Sequence, residues 1–328
     1  MHTRPSLRGT RVLVTGAAGF VGSNLVRELI SQGAQVHVLI RSTSRLWRIE
    51  EILSQLNLHR ADLSNREEVQ RVVDESQPEI IFNFAKQGGD PSSMDPWEAI
   101  QTNILGTVNL LHATRKVNYN RFIQIGSSLE YGARRRRLVE TDTLEPTTLH
   151  GATKASATLL CQHYARQFHL PIVVLRLFSV YGYWESPARL IPTAIMRGLN
   201  DREIILTERG FMHDWIFVKD VVDACVRAIT ADKIKGNIIN IGSGQQASNE
   251  QVVATIERIL GKKLTIRIGE FTAREYDNHY WRANILKAKK LLEWRPRYSL
   301  RAGLEKTVAW IRLHQHEYQD AINDASPR

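Results

Sequence analysis

Apolar residues fall along this chain in short runs separated by amphipathic stretches. Residues 12–14 form a β-branched run; Leu25, Val26, Leu29 and Ile30 then recur at helical spacing up to Gly33, and residues 36–40 are apolar again. Similar runs at 58–63, 79–85, 121–127, 171–178 and 237–242 predict further strands. Helices are expected between them: one starting near Asn65, a long one over 95–117 and one over 153–167. Regular alternation of the two signals up to residue 178 predicts a parallel sheet covered by helices on both faces. Beyond it we expect a helix at LIPTAIMRG, a helix capped by Ser248 and running to Leu260, a strand at 264–268, and closing helices at 284–294 and 300–311.

Composition narrows the classes. The chain has 328 residues, 43% hydrophobic and 24% charged, which is ordinary for a globular protein with a sizeable core. No apolar run approaches the roughly 20 residues that span a bilayer, and the leader MHTRPSLRGT has neither signal-peptide nor transit-peptide character, so a cytoplasmic protein is expected. Cys161 and Cys225 have no ligand pattern beside them and are expected to be buried thiols; no metal site is expected. The net charge of +10 suits phosphate-bearing ligands as well as nucleic acid. The basic run 134–137 has no interleaved aromatics, and a solvated loop is favoured there over a nucleic-acid surface.

The chemistry concentrates first at Gly16, Gly19 and Gly22. This G-x-x-G-x-x-G turn between strand and helix lets backbone amides reach a pyrophosphate at a helix N-terminus. The arrangement resembles the extended short-chain dehydrogenase/reductases, the nucleotide-sugar epimerase/dehydratase family. The resemblance implies a Rossmann-type doubly wound parallel sheet made by residues 1–178 and 215–243. A smaller C-terminal α/β substrate domain would comprise 179–214 and 244–328.

About 20 residues past the glycines an NAD site would carry an acid against the ribose hydroxyls. Arg41 stands there instead, with Ser42 and Arg45 near it, and suits a 2′-phosphate; NADP is therefore expected, with NAD possible. Phe20 and Val21 open the first helix of this cofactor site. The resemblance adds Asp62 and Leu63 near the adenine, although Asp62 is equally suited to cap the following helix. It adds Phe84, Ala85 and Lys86 at the exit of the fourth strand, and Asn103, in the segment NILGTVN, as a brace rather than a participant.

In the family a Ser or Thr at the fifth strand end acts with a Tyr-x-x-x-Lys helix. Ser127 and Lys154 match; His150 stands where the tyrosine is expected. Histidine starts near pKa 6.5, so it suits proton transfer without a large shift, and a neighbouring Lys154 would lower it by about one unit. Tyr131 and Glu130 beside Ser127 offer an alternative acid or base, and a protein that binds cofactor without turnover is a further alternative. The family's dehydratases carry an acid two positions after the hydroxyl residue; Leu129 stands there, which favours a 4-epimerase or 4-ketoreductase. For a nucleotide-diphosphate sugar the expected contacts are Ser128, Ser179, where the family often has asparagine, His213, where it has arginine, and Arg274. His213 is equally suited to a structural role. Helices over 97–115 and 153–167 resemble the family's dimer interface and imply a homodimer, with no nucleic acid or membrane partner.

Overall fold

The computed structural model describes residues 6–87, 95–273 and 277–319. The first half contains β1 (Arg11–Thr15), α1 (Phe20–Ser31), β2 (Gln35–Ile40), β3 (Asn57–Arg60), α2 (Arg66–Ser76), β4 (Ile80–Asn83), α3 (Pro96–Ile100), α4 (Gly106–Thr114), β5 (Arg121–Ser127) and α5 (Leu149–Gln167). Next come β6 (Ile172–Leu177), β7 (Ser179–Tyr181), α6 (Leu190–Leu199), β8 (Ile204–Leu206), β9 (Met212–His213), β10 (Trp215–Phe217) and α7 (Val218–Thr230). The chain continues through β11 (Ile238–Ile241), β12 (Ala247–Ser248), α8 (Asn249–Leu260), β13 (Ile266–Ile268), α9 (Leu286–Leu291) and α10 (Leu300–Leu313).

Seven of these strands form one parallel sheet in the order β11-β6-β5-β4-β1-β2-β3. From β1 the chain winds outward through β2 and β3, then returns to add β4, β5, β6 and β11 on the other side. That reversal puts a crevice at the carboxyl ends of β1 and β4, where open α/β sheets bind ligands. The register fixes what meets there: Thr15 lies opposite Asn83 and Leu39, Asn83 opposite Gln124, and Ser127 opposite Leu177. One face of the sheet packs Val12, Val14 and Val38 on α1 and α7 through Leu25 and Val222; the other packs Leu13, Ile81 and Phe122 on α2, α4 and α5 through Val72, Leu110 and Cys161. A separate apolar cluster joins α6, α8 and α10 through Ile195, Val253 and Leu304. Both cysteines are buried free thiols.

Three expected elements differ. The third strand ends at Arg60, short of Asp62, because the chain then turns into α2. The long helix over 95–117 is interrupted by a π-helical turn, Gln101–Leu105, of the kind that widens a helix where a side chain has work to do. The helix expected over 284–294 shortens to Leu286–Leu291: Glu293 takes φ +49°, which turns Trp294 into the core, where its indole donates to the Asp220 carbonyl at 3.0 Å.

Candidate active site

The glycine turn is shaped by close approach. Gly16 has φ +68°, and a Cβ there would lie 2.6 Å from the Phe84 carbonyl carbon and 2.7 Å from the Ala85 nitrogen. At Gly22 a Cβ would come within 2.3 Å of the Gly16 oxygen. Gly19 precedes the 12-residue α1 and offers no side chain to its first amides, so the positive end of the helix faces the turn uncapped. Phe20 and Val21 are half-buried and lean on the α6–α8–α10 cluster. This cradle fits a pyrophosphate. Beneath it, the Thr15 hydroxyl donates to Asn83 Oδ1 at 2.6 Å and accepts the Ala85 amide at 3.2 Å; Asn83 Nδ2 donates to Gln124 at 2.8 Å and to Thr107 at 3.2 Å. These buried bonds lock the Phe84-Ala85 exit of β4 against the glycine turn.

Arg41 follows β2 directly and is half-buried; its amide donates to Ser44 Oγ at 3.1 Å, while Ser42 and Arg45 are exposed. An aromatic clasp holds this loop from behind. Trp47 meets Trp184 at 5.6 Å and Tyr318 at 6.2 Å between ring centroids, and Trp310 packs on Trp184 at 4.9 Å. Asp62 Oδ1 accepts the amide and hydroxyl of Ser64 at 2.8 and 2.7 Å. The cap of α2 is Asn65, which accepts from Glu67 and Glu68, so Asp62 is not the helix cap. Leu63 is buried against Gly106, where a Cβ would lie 2.8 Å from its own. Asn103 sits in the π-helical turn. Its Oδ1 accepts the Gln87 amide at 3.1 Å and its Nδ2 donates to Thr153 at 2.9 Å, tying the segment after Lys86 to α5.

Ser127 ends β5, and its hydroxyl accepts the Leu129 amide at 3.2 Å, leaving its own proton to donate. Thr148 caps α5 by accepting the Gly151 amide at 3.0 Å, which places His150 in the first turn and Lys154 one turn later on the same face. The helix abuts the Ser127 turn closely: a Cβ on Gly151 would sit 2.4 Å from the Leu129 carbonyl oxygen. His150 is 8% exposed, and its Nδ1 is buried without a hydrogen-bond partner. Burial pulls its pKa down to about 3, with Lys86, Lys154 and Arg189 adding to the drop. Desolvation therefore outweighs the Lys154 charge that sequence reasoning had put first. Burial also lowers Lys154, to about 8, against the opposing charge of Glu130.

Neither alternative acid or base is available. Glu130 is fully buried and its two oxygens accept the Ser127 amide at 2.7 Å and Arg176 Nε at 2.7 Å. Tyr131 donates to Asn240 at 2.7 Å inside the core, and burial raises its pKa to about 12. Ser128 is also buried, its hydroxyl accepting the Trp281 indole N–H at 3.0 Å, so it faces the interior rather than an open substrate pocket.

A family model, "NAD dependent epimerase/dehydratase family", matches residues 12–242. The chain belongs to the NAD-dependent epimerase/dehydratase family. It is 30% identical to an uncharacterized UDP-glucose epimerase of Bacillus subtilis over 94% of this chain and 100% of that one. Among solved structures it resembles UDP-glucuronic acid 4-epimerase from Bacillus cereus in complex with UDP-glucuronic acid and NAD (TM-score 0.84, 29% identity, 92% and 99% of the two chains). It also resembles dTDP-glucose 4,6-dehydratase from Bacillus anthracis in complex with NAD (TM-score 0.86, 26% identity, 95% and 100%).

After β6, this epimerase/dehydratase-family chain brings Ser179 and His213 together. Ser179 Oγ and His213 Nδ1 lie 3.5 Å apart, the His213 ring packs on Trp215 at 5.0 Å, and its Nε2 is 3.9 Å from Asp277. Arg274 lies outside the described residues. Next to His213, buried Asp214 accepts the amides of Ser243, Gly244 and Ala283 at 2.6, 3.0 and 2.9 Å, closing the loop after β11. In the basic run, Arg134 pairs with Glu145 at 2.7 Å and Arg136 with Asp142 at 2.5 Å, which knits the loop before α5 to itself. Sequence reasoning gave no role to Thr15, Gln124 and Arg176, all buried on β1, β5 and β6; Arg176, the lone polar residue of an otherwise apolar β6, is the clearest signal of a buried network. No group of described His, Cys, Asp and Glu side chains could hold a metal, and no described helix is long and apolar enough to cross a membrane.

Proposed function

We propose that this protein oxidises or reduces the sugar of a nucleotide-diphosphate sugar, as a 4-epimerase or 4-ketoreductase, using a nicotinamide dinucleotide. The observation that carries the reading is the convergence of Ser127, His150 and Lys154 at the carboxyl end of β5, beside a glycine cradle only glycine can form. Bound cofactor would supply the hydride acceptor or donor. Gly16, Gly19 and Gly22 with the α1 amides would hold its pyrophosphate, Arg41 with Ser42 and Arg45 the adenosine ribose, and Phe84, Ala85 and Lys86 the nicotinamide side. Arg41 favours NADP, although the solved relatives named above are complexes with NAD.

The Ser127 hydroxyl donates a hydrogen bond to the substrate oxygen and keeps its own proton. Neutral His150 accepts the proton that leaves the substrate oxygen, through the Nδ1 that nothing else engages. Lys154, with a pKa of about 8, is roughly nine-tenths protonated at pH 7, and its charge stabilises the developing alkoxide. Leu129 at the place of the dehydratases' acid, beside the locked Glu130, ranks dehydration below simple oxidation or reduction. Residues 179–214 and 244–328 would form the substrate side, with Ser179 and His213 serving the diphosphate. Exposed Leu105 and Leu159, on elements that pack together, are the apolar surface of a homodimer.

A second reading is favoured by one observation. An imidazole with a pKa of about 3 is protonated in only about one molecule in ten thousand at pH 7, which suits a cofactor-binding protein without turnover. Mass spectrometry of nucleotides that co-purify with the protein, followed by assay against UDP- and dTDP-sugars, separates the two. Turnover that changes its pH profile in His150→Tyr supports the enzyme. Cofactor binding with no turnover on any nucleotide sugar supports the silent protein, and no affinity for either coenzyme refutes both.

A further inference from the structure

The loop that carries Arg41 is met by a turn from far along the chain. The loop itself consists of two consecutive turns: the Ser44 amide donates to the Arg41 carbonyl at 3.1 Å, and the Ile49 amide donates to the Leu46 carbonyl at 2.8 Å. The first turn contains Arg41 and the exposed Ser42. The second packs Leu46 and Ile49 against the core of the sheet and brings Trp47 to a cluster of rings.

Trp47 is held there from two directions. On one side stands Trp184 at 5.6 Å between centroids, whose carbonyl accepts Arg48 Nε at 2.7 Å. Trp184 takes φ +65°, a backbone conformation that tryptophan rarely adopts and that its surroundings must hold. They do so from α1: Arg27 lies over the Trp184 ring at 4.4 Å, and Asn24 Nδ2 donates to the adjoining Tyr183 carbonyl at 2.8 Å. On the other side of Trp47 stands Tyr318 at 6.2 Å, fully buried at the end of a 3₁₀ turn, Gln315–Tyr318, that follows α10. Trp310 of α10 meets Tyr318 at 5.7 Å and Trp184 at 4.9 Å, so both supports rest on one helix. A turn of four residues has few hydrogen bonds of its own, and burial of the Tyr318 ring is what keeps it in place.

We propose that Tyr318 is a positioning residue for the coenzyme: the turn it closes straps Trp47 down and thereby sets the shape in which the Arg41 turn meets the adenosine ribose. This rests on the role given to Arg41 above. The physical gain is pre-organisation. A loop of exposed polar residues that must be ordered when its ligand arrives loses affinity by the entropy of ordering, and a loop already held in shape does not.

The test measures coenzyme affinity of the full chain by NADPH and NADH fluorescence, beside hydrogen exchange of the amides of residues 42–48. Tyr318→Ala removes one support of Trp47, and Kd for the coenzyme that the wild type binds more tightly should rise about tenfold, as expected if about one further residue must be ordered on binding. Exchange over 42–48 should quicken, while the amides of α5, on the opposite face of the sheet, stay protected. Tyr318→Phe keeps the ring and should bind as the wild type does. Tyr318→Leu keeps an apolar side chain in the core without the ring against Trp47; it should show the same weakening and decides the matter if Tyr318→Ala does not fold. A lowered unfolding midpoint with unchanged Kd would overturn the proposal, as would weaker binding with unchanged exchange over 42–48. So would failure of both the alanine and leucine variants to fold where Tyr318→Phe folds, since the ring would then belong to the fold alone. A wild type without affinity for either coenzyme refutes the proposed function and this proposal with it, whereas binding that Tyr318→Ala leaves intact refutes this proposal alone.

Discussion

Replacing His150 with glutamine removes one titrating group from a buried site, and the consequence for stability can be worked out. The unfolded chain carries His150 near its ordinary pKa of 6.5, while burial and the charges of Lys86, Lys154 and Arg189 hold the folded value at about 3. Above pH 6.5 both states are neutral and the group contributes nothing to the pH dependence. Below it the unfolded state takes up a proton that the folded state refuses, so stability is lost as pH falls from 6.5 toward 3, at about 1.4 kcal/mol per unit. Between pH 7.5 and pH 5 the wild type should therefore lose about 2 kcal/mol more than His150→Gln. Urea unfolding of both proteins at the two pH values measures the difference, and carboxylates common to both cancel from it. Equal losses in the two proteins would refute the burial argument and put the His150 pKa back near its ordinary 6.5.

At Gly16, alanine would have to hold φ +68° with its Cβ against the Phe84 backbone, so Gly16→Ala should lower stability by about 1–3 kcal/mol and abolish coenzyme binding, as read by thermal unfolding and NADH fluorescence. Arg41→Asp places a carboxylate where a 2′-phosphate would dock. It should weaken NADP binding at least tenfold while leaving NAD binding intact, and equal effects on both coenzymes would remove Arg41 from cofactor choice. Asn103→Ala leaves the Gln87 amide and Thr153 hydroxyl without their partner, at a cost of about 1–3 kcal/mol in chemical denaturation. Leu159→Asp puts a charge at the exposed Leu159 of α5; if the proposed homodimer forms there, sedimentation should show the variant lighter than the wild type, and equal masses would remove this face from the interface.

Much of the fold is legible locally. The β-branched run before Gly16, the helical spacing after it and the recurring apolar strands depend on near neighbours in sequence, and they announce a wound parallel sheet with a phosphate turn at its first crossover. The resemblance placed Ser127 at a strand end and Lys154 on the helix that follows, and the strand and helix are there, because both are short-range features. The Asn65 cap and the π-helical turn at Asn103 were less legible, since each depends on which competing polar side chain reaches the backbone first.

What spacing leaves undecided is how each ionisable group behaves. Glu130 and Tyr131 read as spare acids because they adjoin Ser127 in sequence. Their roles are set by Arg176 on β6 and Asn240 on β11, more than 40 and 100 residues further along the chain. The ionisation of His150 is set by burial and by cations arriving from the ends of β4 and the start of α6. Desolvation and Coulomb forces act through space and grow as water is excluded, so they follow the folded arrangement. The sequence by itself determined the elements and the residue types at the crevice; the tertiary structure alone decided which of them carry charge, which are locked away, and which remain to meet a ligand.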